Sequence, residues 1–62
     1  MIDVTRLNGV PITVNSDMIQ FIEETPDTVI TFQDGKKILV KENKEIIVGL
    51  IVDFRRKIQK NY

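Results

Sequence analysis

Apolar and polar residues alternate through most of the first forty positions, then recur with helical spacing after Asn43. Period two is the signature of strands and a 3.6-residue period that of a helix, so the chain reads as strands first and helix last. Met1–Leu7 enters an Asn8-Gly9 pair, and Val10-Pro11-Ile12-Thr13-Val14 leaves it. Asn and Gly tolerate positive φ, which predicts a two-residue hairpin there. Asn15-Ser16-Asp17 is a turn or cap cluster. Met18–Glu24 is ambiguous: Met18, Phe21 and Ile22 fit a helical face, whereas Ile19 and Phe21 fit strand alternation. Its short length and β-branched content favour a strand entered through one turn. Thr25-Pro26-Asp27-Thr28 predicts a β-turn with proline second. The strand Thr28–Phe32 then runs into Asp34-Gly35, a second two-residue hairpin signal, and Lys37–Glu42 returns. The expected sheet core is Val4, Ile12, Val14, Ile30, Phe32, Ile38 and Val40.

Asn43 predicts an N-cap, with Glu45 in the first turn of a helix from Lys44 to Gln59. Ile47, Leu50, Ile51, Phe54 and Ile58 form one stripe on it. Ile46, Val48 and Val52 lie off that stripe, more apolar surface than one sheet can cover. Gly49 disfavours a helix interior, so it marks either close approach of another backbone or a tolerated glycine against the sheet. The whole predicts one α+β domain over residues 1–62. A small, mainly antiparallel five-stranded sheet, open or partly closed into a barrel, carries one C-terminal helix. The apolar surplus at Val48 and Val52 beside Gly49 predicts a homo-oligomer built on that helix.

Length sharpens that expectation. A chain of 62 residues buries only about 60% of its extended surface, and small domains compensate with disulfides, metals or association. With no Cys and no His, disulfides and the usual soft metal ligands are absent, as are the common nucleophile–base pairs of catalysis. No glycine-rich phosphate loop is present, and Glu23, Glu24 and Asp27 lack calcium-loop spacing. These features predict a non-enzyme without cofactor or metal. The longest apolar stretch, Ile46 to Val52, is far below the roughly 20 residues that span a bilayer. Asp3 and Arg6 interrupt any run suited to a signal peptide, which predicts a cytoplasmic protein.

Nine basic and nine acidic residues cancel, but they are segregated: residues 1–34 carry six acidic groups against Arg6, and residues 35–62 carry eight basic groups against three acidic ones. The two halves either mix in space or make a bipolar molecule that docks on a charged partner. The basic run Arg55-Arg56-Lys57 with Lys60, beside Tyr62, suits a helix end better than a nucleic-acid surface, since the first half is acidic.

Ile2-Asp3-Val4-Thr5-Arg6-Leu7-Asn8-Gly9 and Ile22-Glu23-Glu24-Thr25-Pro26-Asp27-Thr28-Val29-Ile30-Thr31 closely resemble the small FlbD/SwrD family of bacterial flagellar and swarming-motility proteins. Asp34-Gly35-Lys36-Lys37 and Val40-Lys41-Glu42 follow the same pattern, and Arg6, Asn8, Glu23, Pro26, Asp27 and Thr28 match its motif positions. The resemblance implies a non-enzymatic accessory that supports flagellar motor output or swarming through contact with a flagellar motor or basal-body protein. A nucleic-acid-binding regulator of flagellar expression is the alternative. Candidate contact residues are Arg6, Glu23, Glu24, Asp27, Val48, Gly49, Val52, Arg55, Arg56 and Lys57.

Overall fold

The structure, a computed structural model, describes residues 1–59; Lys60 and Tyr62 lie outside the described residues, as does the side chain of Ile58. Five strands precede one helix: β1 (Ile2–Thr5), β2 (Pro11–Val14), β3 (Ile19–Glu24), β4 (Thr28–Phe32), β5 (Lys37–Val40) and α1 (Lys44–Gln59), with a 3-10 turn at Ser16–Met18 before β3. Met18–Glu24 is thus a strand entered through one turn, as its residues predict. All pairings are antiparallel. β1 and β2 form one hairpin, with Ile2 opposite Val14 and Val4 opposite Ile12. β3, β4 and β5 form a meander in sequence order. The two sheets meet at one bridge, Arg6 opposite Val40, where the Lys41 N–H donates to the Thr5 carbonyl at 2.8 Å. The five strands therefore remain an open arrangement of two sheets and do not close into a barrel.

Both predicted two-residue hairpins are replaced by a longer turn, built twice in the same way. The Gly9 N–H donates to the Arg6 carbonyl at 2.8 Å and the Arg6 N–H to the Val10 carbonyl at 2.9 Å. The Gly35 N–H likewise donates to Phe32 at 2.9 Å, and the Phe32 N–H to Lys36 at 2.8 Å. Two residues thus oppose one, a bulge whose first member is a left-handed glycine. A two-residue type I′ turn needs positive φ at both central residues. Among the described residues only Gly9 (φ 90°) and Gly35 (φ 92°) have it. Asn8 and Asp34 act through their side chains instead, each Oδ1 accepting the N–H two residues on at 3.0 Å. Gly35→Ala is accordingly expected to destabilise the domain by about 1–2 kcal/mol, read from urea midpoints, although no neighbour would touch the new methyl.

The link between β3 and β4 also departs from expectation. It is a three-residue loop, 25–27, that contains a cis Thr25–Pro26 peptide bond, with the Thr25 N–H donating to the Asp27 carbonyl at 3.2 Å.

In β3, Ile19 faces Phe32 and Phe21 faces Thr31, so Gln20 is an extra residue in the ladder. That shift breaks strict alternation. It turns Ile19 and Ile22 inward together and leaves Phe21 46% exposed, where alternation had grouped Phe21 with Ile19.

The core consists of Ile2, Val4, Val14, Ile30, Val40 and Ile47, with Ile12, Phe32, Ile38, Leu50, Ile51 and Phe54 packed around it. Every residue expected in the sheet core is in this cluster, and Ile2 joins it. The helix begins where Asn43 predicts: its Oδ1 accepts the Ile46 N–H at 2.9 Å, and its carbonyl accepts the Ile47 N–H at 3.2 Å. The stripe then places Ile47 at full burial, and α1 lies against β1 and β3.

Candidate functional site

Consecutive strand residues point to opposite faces, and this separates Glu23 from Glu24. Glu23 lies on the outer face of the meander, across from Val29, which in turn faces Leu39. Glu24 turns the other way. Its Oε1 accepts the Lys44 N–H at 3.3 Å, placing a carboxylate on the first turn of α1, where the helix dipole favours negative charge. Asp27 is exposed in the loop between β3 and β4. Of the three acidic residues, Glu24 alone is held at the N-terminal end of α1, while Glu23 and Asp27 stay exposed on the outer face and in the loop.

Arg55, Arg56 and Lys57 occupy the other end of the helix, where positive charge suits the dipole. Arg55 comes eleven residues after Lys44, about 16 Å along the axis at 1.5 Å per residue. Its Nη2 is 3.8 Å from Asp17 Oδ1, and both side chains are more than 60% exposed, so this pair contributes little stability. It does join the acidic first half of the sequence to the basic second half, so the two halves meet in space at this end. Arg6 is exposed in the bulged turn at the bridge to β5.

Ile46, Val48 and Val52 face solvent with exposures of 50%, 48% and 41%. Gly49 is exposed among them, and a methyl built on it would meet nothing within 4 Å. The expectation of a glycine against the sheet is therefore corrected: nothing among the described residues requires a glycine at that position. Phe21 is the surface residue that the sequence reading missed, because only the extra residue in β3 turns it outward.

The seam between the sheets holds one organised polar group. The Thr5 N–H donates to Glu42 Oε1 and the Thr5 hydroxyl to Glu42 Oε2, both at 2.8 Å. Burial pushes the Glu42 carboxyl up. The two Thr5 hydrogen bonds, its own N–H and the Lys41 charge outweigh that, and its pKa falls below the ordinary 4.5.

A cleft of about 250 Å³ opens between β1 and the C-terminal half of α1, lined by Met1, Ile2, Asp3, Leu50, Asp53, Phe54 and Lys57. Its charged members are all exposed, so the cleft holds no desolvated acid, base or nucleophile. Among the described residues no group of three potential metal ligands comes together. No helix among them is long and apolar enough to cross a membrane.

Neither curated proteins nor solved structures give a match to this chain. The family model of FlbD, described as flagellar and swarming motility proteins, matches residues 1–59. That range contains both bulged turns, the acidic loop, the seam and the whole of α1, so the chain belongs to the FlbD family of flagellar and swarming motility proteins.

Proposed function

We propose that this chain is a non-enzymatic accessory of the flagellar motor, acting at the cytoplasmic face of the basal body by contact with a motor or basal-body protein. The family match carries the motility half of this reading. The contact half is supported by what the surface offers: an apolar helix face, charged ends, and no buried acid–base or thiol chemistry. A protein of this kind raises motor output by binding one state of its partner more tightly than another. A difference of about 1.4 kcal/mol changes engagement tenfold.

Glu24 is engaged at the start of α1, so Glu23 and Asp27 beside the β3–β4 loop, and Arg55, Arg56 and Lys57 at the far end of the helix, are the charges that a partner would meet. The test is torque on bead-loaded motors in a deletion strain, with filaments counted in parallel. Deletion should lower torque at normal filament number. Complementation with Glu23→Lys plus Asp27→Lys, or with Lys57→Glu, should leave torque low at normal protein level for whichever end docks. Normal torque with too few filaments would move the protein to assembly or gene regulation. Normal torque, filaments and swarming together would remove the motor reading.

A further inference from the structure

We infer that the outward face of α1 is a self-complementary surface whose occupant is a second copy of this chain, packed antiparallel across a two-fold axis. The inference stands apart from the motor reading, because its test needs only purified protein.

Residues 45, 49, 52 and 56 are spaced i, i+4, i+7 and i+11, so they share one face of the helix. That face points away from the buried Ile47, Leu50, Ile51 and Phe54. In order it reads Glu45, Gly49, Val52, Arg56, with Val48 beside Gly49. All are exposed, and neither Glu45 nor Arg56 makes an ion pair among the described residues.

An axis passing between Leu50 and Ile51 brings Glu45 against Arg56 of the second copy and Gly49 against its Val52, each contact occurring twice. This is the reciprocity that a two-fold interface requires. A parallel pair in register would instead set Glu45 against Glu45 and Arg56 against Arg56. Charge therefore selects the antiparallel arrangement.

Gly49 supplies the second, independent observation. Glycine is unfavourable inside a helix, yet the space around this one is open in the isolated chain. A Val52 side chain from the second copy, seated over Gly49, gives that glycine a packing role. It also covers apolar surface that the chain's own sheet leaves in water.

Sedimentation equilibrium on the full chain tests this. The unmodified protein is expected to be dimeric at about 100 μM, a concentration between the millimolar and micromolar affinity ranges. Glu45→Arg or Arg56→Glu alone should raise the dissociation constant about tenfold, since each turns two attractions into two repulsions. Combining the two restores opposite charges across the axis and should restore the dimer. In a monomer the combination is the worst case for the helix dipole, so rescue cannot come from helix stability.

Should the combined variant unfold, Gly49→Gln decides the question. It favours the helix of the single chain and meets no neighbour there, but it fills the seat for Val52. A folded, monomeric Gly49→Gln supports the proposal. A strict monomer of the unmodified protein would overturn it, as would a dimer indifferent to both single reversals or to Gly49→Gln.

Discussion

Replacing Ile47 by alanine should remove about 2–5 kcal/mol of stability, the largest loss expected from any single truncation in this protein. Ile47 is the helix residue with no exposed surface, and it inserts into the cluster of Ile2, Val4, Val14, Ile30 and Val40. Truncation leaves a cavity bounded by both sheets and the helix, which cannot all collapse onto it. A domain of 62 residues has roughly 3–9 kcal/mol in total at about 0.05–0.15 kcal/mol per residue, so Ile47→Ala places it near its unfolding threshold. Urea unfolding followed by circular dichroism measures the change. Leu7→Ala serves as a control: Leu7 is 43% exposed, and its truncation should stay within about 0.5 kcal/mol. A loss below about 1 kcal/mol at Ile47 would contradict the docking of α1 described above.

Glu42→Ala is the second large effect, at about 2 kcal/mol, because it leaves the Thr5 N–H and hydroxyl at the seam without their charged acceptor. Its dependence on pH follows from the direction of the shift. The folded carboxyl titrates below 4.5, so its contribution is fully present above that value and disappears as pH falls through the folded pKa. The unmodified protein should therefore lose stability on acidification below about pH 4.5. Glu42→Gln, which cannot titrate, should show a flatter acid limb. Thermal midpoints from pH 3 to pH 7 for both proteins measure this. Parallel acid limbs would show that the carboxylate contributes nothing at the seam.

Element order and the sheet core were legible because local and long-range preferences agree in them. Asn43 caps the helix, Ile30 and Val40 fall on the alternating inner face, and the stripe led by Ile47 has one surface to bury it. The contact residues were legible only as residue types. Glu23 and Glu24 look equivalent in sequence, yet strand geometry sends one to the outer face and the other to the start of α1. Asn8-Gly9 and Asp34-Gly35 signalled turns correctly. Their type depended on whether Asn8 and Asp34 adopt positive φ, and hydrogen bonding by their own side chains removes the need. Alternation does not separate Phe21 from Ile19, because an extra residue in a ladder leaves no mark on composition. The seam was not legible at all. Thr5 and Glu42 lie 37 positions apart, and nothing local marks Glu42 as the acceptor for Thr5.

Because the sheets do not close on themselves, β2 and β3 are left as outer strands, and unpaired backbone of this kind invites strand addition by other molecules. Each carries a device against it. Pro11 begins β2 and has no N–H to offer an incoming strand. The extra residue at Gln20 disrupts the regular spacing of β3, and Glu23 and Glu24 put two charges at its far end. Growth by strand addition has no natural stopping point and leads to aggregates. Blunting both edges leaves contact with other molecules to side-chain surfaces, which saturate.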